Sequence, residues 1–430
     1  MLTRLFSPSL VLAHLRTPLY AGAYALIASA AVTSGLGLLY WALAARLYEP
    51  ATLGLNSAAL SAMLFVSGIS QLSLNGVLVR FIPIAGTHSA RFVVLAYAGC
   101  LIAALGASLI FLFGASVWAP WLAPLQSNFL WSISFVFAVM AWTIFALQDS
   151  VLTGLRQAQW VPLENSLYAV AKIGVLAFFA VAFPATGIFI SWNLPVLLLL
   201  VPVNVLIFRV LIPRHARAGM TNQPRLRARQ IVEQVAGNYL GTLFSLGSTT
   251  LLPILVTTLE GAAANAHFYP PWIIASALQL VALNMATSMT VEASFDETKL
   301  ALFARRVMIH TARLVIPCVI VIFIAAPFLL ALFGTSYAEQ GTTLLRLLAL
   351  AAIPNMFVAV AIGLARVQNR AWLVTLIQGA LCLFGLGSSY FLVPVLGISG
   401  VGVAWLLGQS LVALGVMAAI GKRVWGGRFL

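Results

Sequence analysis

Twelve apolar stretches run through this chain, each closed by a short polar gap, and arginine and lysine fall almost entirely in every second gap. The approximate spans are 21–45, 52–79, 92–118, 129–152, 161–183 and 187–212, then 233–258, 266–291, 311–333, 343–365, 371–394 and 398–420. Basic residues occupy the N-terminal segment (Arg4, Arg16), the gap of Arg80 and Arg91, that of Arg156, and the run from Arg209 to Arg229. They return at Lys299, Arg305, Arg306 and Arg313, at Arg366 with Arg370, and at Lys422, Arg423 and Arg428. The gaps between hold only Arg46 and Arg346, both at helix ends. By the positive-inside rule both termini and all the basic gaps face the cytoplasm.

Composition leads to the same class independently. With 62% hydrophobic residues, 7% charged residues and a mean hydropathy of +1.05, the chain has too little polar surface for a soluble globule. A spanning helix needs about 20 residues, so twelve use roughly 240 and leave only loops and helix ends. The fold class expected is therefore all-α. The net charge of +14 is explained by cytoplasmic anchoring residues, and with no soluble basic domain nucleic acid is not an expected partner. Cys100, Cys318 and Cys382 lie in different apolar stretches without metal-ligand spacing, so they read as packing residues. Residues 1–20, broken by Pro8 and Pro18, read as an interfacial segment, since a signal peptide needs a longer uninterrupted core.

The largest polar interruption, at 213–230, divides the chain into an N-lobe (21–212, helices 1–6) and a C-lobe (231–421, helices 7–12), followed by a cytoplasmic tail at 422–430. The lobes look like copies. Gly187-Ile188-Phe189-Ile190-Ser191-Trp192 matches Gly400-Val401-Gly402-Val403-Ala404-Trp405, each opening a sixth helix. Phe113-Gly114-Ala115-Ser116 matches Phe333-Gly334-Thr335-Ser336 at the close of the third, and Gly154-Leu155-Arg156 corresponds to Gly363-Leu364-Ala365-Arg366 at the close of the fourth. Six helices per lobe is an even number, so both lobes enter the membrane in the same sense, as a parallel repeat related by a pseudo-two-fold axis along the membrane normal. Two such lobes facing one another favour a transporter working by alternating access.

The run Leu36-Gly37-Leu38-Leu39-Tyr40-Trp41, then Ala45-Arg46-Leu47-Tyr48-Glu49-Pro50, Gly54 and Arg80-Phe81-Ile82-Pro83, resembles the opening of bacterial oligosaccharide flippases of the O-antigen type. These belong to the multidrug/oligosaccharidyl-lipid/polysaccharide exporter superfamily. Leu332-Phe333-Gly334-Thr335-Ser336-Tyr337-Ala338, Leu347-Leu348-Ala349-Leu350 and Gly397-Ile398-Ser399-Gly400-Val401-Gly402 extend the likeness over nearly the whole chain. The resemblance implies a flippase of the bacterial inner membrane that moves a polyprenyl-diphosphate-linked oligosaccharide for cell-surface polysaccharide or lipopolysaccharide assembly. Membrane lipids and a polysaccharide polymerase or glycosyltransferases are the partners to expect, and a proton or sodium counter-ion, the membrane potential or consumption of the product outside would each serve to drive it.

Such a substrate brings a diphosphate and a bulky hydrophilic head that must be sheltered, so cations near or inside the membrane are the candidate binding residues. Lys172 stands mid-segment with no charged sequence neighbour, where an ionisable group reads as functional unless it pairs with Asp149 or Glu164. Arg46, Arg80 and Arg346 are cavity candidates or interfacial anchors, while Arg156 and Arg366, matched in the repeat, read as anchors. Asp149 and Glu164 are candidates for ion coupling, with pairing to Arg156 or Lys172 as the plainer reading. Trp118, Trp121, Trp131, Trp192 and Trp405 read as an interfacial belt. Pro195, Pro202, Pro253 and Pro354, with Pro270 and Pro271, mark hinge candidates inside helices.

A cation-coupled multidrug exporter on the same scaffold is the alternative, disfavoured because the first helix has no acid. An enzyme is not expected: the outer gaps are short, the five histidines are scattered, and no phosphate-binding glycine loop with a lysine occurs. No catalytic residue, metal or cofactor is assigned.

Overall fold

A computed structural model describes residues 18–123, 128–218, 228–293, 300–368 and 370–425, and every regular element among them is helical. The first half contains α1 (Pro18–Leu47), α2 (Pro50–Ser70), α3 (Leu74–Ala85), α4 (Ser89–Trp118), α5 (Phe129–Gly154), α6 (Trp160–Ala182), α7 (Gly187–Leu206) and a short α8 (Ile212–Ala218). The second contains α9 (Ala228–Glu260), α10 (Ala262–Ala293), α11 (Leu300–Ala331), α12 (Thr335–Val367), α13 (Ala371–Leu396) and α14 (Ser399–Trp425). Eleven helical segments are long and apolar enough to cross a membrane among the described residues, and α1, with 30 residues, makes the twelfth. Residues 1–17, 219–227 and 426–430, which hold most of the expected interfacial segment and parts of the linker and tail, lie outside the described residues.

Helices are what a chain this apolar must form, because inside hydrocarbon each backbone N–H and C=O needs a partner from its own segment. The hydroxyls follow the same rule: Ser61, Ser70, Thr143 and Ser248 each donate to the carbonyl four residues earlier on their own helix. Large apolar side chains such as Phe113, Val181, Phe328 and Phe391 stand exposed on the outside, as a lipid-facing surface requires.

The two halves form six-helix lobes in the same orientation. Gly187 and Gly400, which open α7 and α14, are both sites of close approach. A Cβ on Gly187 would lie 2.2 Å from the Tyr48 hydroxyl, and one on Gly400 would lie 2.5 Å from the Leu392 carbonyl. The third-helix match is looser: Gly114 lies inside α4, where the Trp118 indole folds over it, whereas Gly334 lies beyond the end of α11 with φ +146°. Between lobes, α2 packs against both α9 and α10, while α1 meets α10 only sparsely.

The second membrane segment departs from expectation. In place of one helix over 52–79, α2 stops at Ser70, and Leu72 and Ser73 adopt left-handed φ values of +51° and +53° before α3 begins. Side chains with a Cβ enter this region at a cost, and such outliers concentrate at functional positions. The break is held from three sides. Tyr239 of α9 donates to the Ile69 carbonyl at 3.1 Å, the Cys100 thiol donates to the Gln71 carbonyl at 3.6 Å, and the Asn75 amide donates to Gln71 Oε1 at 2.7 Å.

Candidate functional site

At the end of the bundle that carries the basic gaps, the lobes part around a chamber of about 600 Å³. Ser73, Asn75 and Gly76 of the broken segment form its N-lobe wall, and Thr242, Ser245 and Gln378 stand among the C-lobe residues opposite. Arg366 is the one charged side chain among the described lining residues. Its polar groups are thus hydroxyls and amides with a single guanidinium, set among glycines and the apolar side chains of Leu246, Ala371 and Val374. Ser73 Oγ is buried with no hydrogen-bond partner among the described residues.

Two smaller spaces adjoin the chamber. One, of about 340 Å³, lies between α1, α2, α7, α9 and α10 and is walled mainly by Leu38, Trp41, Trp192, Ile273 and Leu280. The other, of about 240 Å³, lies within the C-lobe among Ser248, Gln279, Asn355, Trp405 and Gln409. Thr249 borders all three, so the two smaller spaces branch away from the chamber's wall at this residue.

The opposite end is shut. A Cβ on Gly54 would sit 1.7 Å from the Ala262 carbonyl oxygen, so α2 and α10 touch backbone to backbone there. Asn265, fully buried, donates across this seam to the Gly54 carbonyl at 2.8 Å and to Ser57 Oγ at 3.0 Å. The Trp121 indole donates to Thr258 Oγ1 at 3.2 Å. The protein is therefore open towards its basic end and closed at the other.

The candidate cations are dispersed rather than gathered in the chamber. Arg46 is exposed at the closed end, donating from Nε to the Leu332 carbonyl at 2.8 Å and from Nη2 to Ala331 at 3.5 Å, where the last carbonyls of α11 have no helical partner. Arg346 is also peripheral. Its Nε donates at 3.1 Å to the Phe323 carbonyl, which Pro327, four residues on, leaves without an N–H, and its guanidinium lies 5.2 Å from the Phe323 ring. Arg80 is exposed on α3, 5.6 Å from the Phe81 ring, and does not line the described chamber. The residue in the chamber is Arg366, for which anchoring was the expectation.

Lys172 is buried, with 5% of its surface exposed, and no carboxylate pairs with it among the described residues. Three rings enclose its ammonium: Trp192 at 4.0 Å, Tyr40 at 4.9 Å and Tyr168 at 5.0 Å. The negative ring faces replace a counter-ion. Hydrogen bonds fix the cage, since Tyr40 Oη donates to the Ile188 carbonyl and meets Ser191 Oγ, while Tyr168 Oη donates to the Trp192 carbonyl. Trp192 lines the central space, which places the charge directly behind the cavity wall.

Asp149 and Glu164 do not bind Lys172 or Arg156. Asp149 accepts from the Asn165 amide at 3.3 Å on each oxygen, and Glu164 is buried with neither carboxyl oxygen partnered among the described residues. The belt reading of tryptophan fails for Trp131 and Trp405, which are buried, and for Trp192, which faces the cage; Trp118, near the end of α4, stays exposed. Pro195 and Pro202 lie inside α7, Pro253 inside α9 and Pro354 inside α12. Two consecutive left-handed residues lie elsewhere, at Leu72-Ser73, where no proline or glycine signals them, and Arg156, just past α5, has φ +60°. The α7 segment passes into a π-helical turn, Ile207–Leu211, soon after Pro202.

No protein-family profile and no curated protein matches this chain in sequence. Solved structures do match in fold. An inward-facing multidrug resistance MATE family transporter of the MOP superfamily aligns with TM-score 0.73 at 14% identity, covering 92% of this chain and 94% of the other. The lipid II flippase MurJ in an inward closed conformation aligns with TM-score 0.70 at 10% identity, covering 91% and 86%. An outward-facing MATE family transporter gives 0.61 at 14% identity, covering 95% and 96%. This chain has the fold of these transporters.

Proposed function

We propose that this protein is a membrane transporter that flips a polyprenyl-diphosphate-linked oligosaccharide across the bacterial cytoplasmic membrane by alternating access, supplying cell-surface polysaccharide assembly. The observation that carries the reading is the chamber's chemistry: hydroxyls and amides that suit sugar, a guanidinium that suits phosphate, and no carboxylate among the described lining residues. At about 600 Å³ it falls within the roughly 300–1,000 Å³ typical of small-molecule sites. The apolar space beside the sparse α1–α10 seam accommodates the first part of a polyprenyl tail while the head occupies the chamber.

In this reading the basic end is cytoplasmic and the substrate is taken up there. Arg366 binds the diphosphate, and Lys172 adds positive potential from behind Trp192. Opening of the Gly54–Asn265 seam, with closure of the chamber, releases the head outside. Asp149 and Glu164 form the ion-coupling pair, since a buried carboxyl with unfilled hydrogen-bonding capacity is a place for a proton or sodium ion. The proline-bearing helices α7, α9 and α12, together with the α2–α3 break, supply the bending points.

Reconstituted vesicles loaded with a polyprenyl-diphosphate-linked oligosaccharide test this. The expected result is protein-dependent movement of the lipid between leaflets, reduced at least tenfold by Arg366→Ala. Vesicles that export ethidium and move no lipid-linked sugar would instead establish the multidrug alternative.

A further inference from the structure

The two lobes treat their repeated tryptophan differently. In the N-lobe, Lys172 of α6 fills the space against Trp192, with its ammonium 4.0 Å from the ring. In the C-lobe, α13 presents Gly385 to Trp405, where a Cβ would come within 3.0 Å of the indole. Gly385 follows Lys172 by 213 residues, the spacing that separates the two tryptophans. One lobe is plugged at this position by its own cation, and the other has no side chain there.

Beside Trp405 lies the C-lobe branch, and three polar atoms of the residues that line it are buried without a hydrogen-bond partner among the described residues: Trp405 Nε1, Gln409 Oε1 and Gln279 Nε2. Trp405 is 4% exposed and Gln409 3% exposed. Unpartnered polar atoms are costly in a protein interior and call for an occupant. These offer two donors and one acceptor, the complement of a ring bearing several hydroxyls, with no charged side chain among the described lining residues. At about 240 Å³ the branch lies below the roughly 300–1,000 Å³ of whole-ligand sites, so it suits a single ring.

We propose that this C-lobe branch, formed by Trp405, Gln409 and Gln279, is a subsite for one uncharged sugar ring. The subsite rests on the flippase reading for its place in transport. It divides the work between lobes: the chamber arginine holds the anionic diphosphate, and the neutral C-lobe branch selects the glycan.

The test is saturation-transfer NMR on purified full-length protein with a panel of free hexoses, N-acetylhexosamines and hexuronic acids at millimolar concentration. At least one neutral sugar is expected to give transfer, the hexuronic acids none. Gln409→Leu and Gln279→Leu, each checked for an unchanged melting temperature, are each expected to reduce that signal at least fivefold. The wild-type contrast between neutral and acidic sugars stands as a readout if either variant fails to fold. No transfer to any neutral sugar, equal transfer to the acids, or signal surviving both substitutions would overturn the subsite and leave water as the occupant of these atoms. Sugar binding that obeys the expected pattern in a protein that moves no lipid-linked sugar would sink the flippase reading while keeping the subsite.

Discussion

Gly54→Ala is the smallest change that bears on alternating access. The added methyl carbon would lie 1.7 Å from the Ala262 oxygen, 2.6 Å from its carbonyl carbon and 2.9 Å from the Ala266 nitrogen, all of them backbone atoms that cannot rotate aside. Non-bonded contacts settle near 3.5–4.0 Å, so α2 and α10 must separate by about 1.5 Å or more at this end. That movement breaks the Asn265 bonds to Gly54 and Ser57, now 2.8 Å and 3.0 Å long. Each bond contributes about 0.5–1.5 kcal/mol net, and a buried amide left unpaired costs about 1–3 kcal/mol more. The closed seam is therefore disfavoured by about 2–6 kcal/mol, a shift of roughly 30-fold to 20,000-fold in the ratio of states. Spin labels at the exposed Glu49 and Glu339, in a background lacking Cys100, Cys318 and Cys382, report the distance across this end. Gly54→Ala is expected to move the population to longer distances, while Gly99→Ala, whose Cβ meets nothing within 4 Å, leaves it unchanged. Superimposable distributions for Gly54→Ala and the parent would refute the reasoning.

Arg346→Met is expected to lower stability by about 1–3 kcal/mol by orphaning the Phe323 carbonyl, and by markedly less in a Pro327→Ala background that restores the helical N–H; equal losses in thermal unfolding would contradict this. Lys172→Met is expected to cost about 2 kcal/mol or less in lost cation–π attraction. Lys172→Glu, which faces the same rings with the wrong charge, is expected to cost more than about 3 kcal/mol, and equal melting temperatures for the two would remove the cage from the account. Glycine at both Leu72 and Ser73 relieves about 1–2 kcal/mol of left-handed strain per residue and weakens a continuous helix by about 1 kcal/mol each. The doubly substituted protein is expected to melt higher and transport more slowly, and a lower melting temperature would count against a functional break.

Much of the architecture was legible in the chain because the bilayer imposes its rule locally. Apolar length, basic gaps and an even helix number per half follow from residues read one segment at a time, and the observed helices begin and end within a few residues of most expected bounds. The second segment was missed because its turn at Gln71-Leu72-Ser73 is enforced from outside by Tyr239 and Cys100, distant in sequence. The site was less legible for the same reason. Lys172 stands out as a lone charge, but its partners Tyr40, Tyr168 and Trp192 come from three helices, and a counter-ion made of ring faces leaves no charge pattern to read. Arg366 and Arg370 sit in one basic gap, and only the fold places Arg366 at the chamber while Arg46 and Arg346 spend their hydrogen bonds on carbonyls. The neutral C-lobe residues carry no charge at all, so composition gives them no weight until the cavity brings them together.

The central claim is that the closed end must open for the substrate head to leave. Arg46→Cys with Leu332→Cys, in the cysteine-free background, places thiols where Arg46 now bonds the Leu332 carbonyl across the two lobes. Movement of a polyprenyl-diphosphate-linked oligosaccharide is then measured in vesicles before joining the thiols with a short cleavable cross-linker, after joining them, and after cleavage. Transport is predicted to stop on cross-linking and return on cleavage, and transport continuing undiminished with the lobes joined would contradict the account.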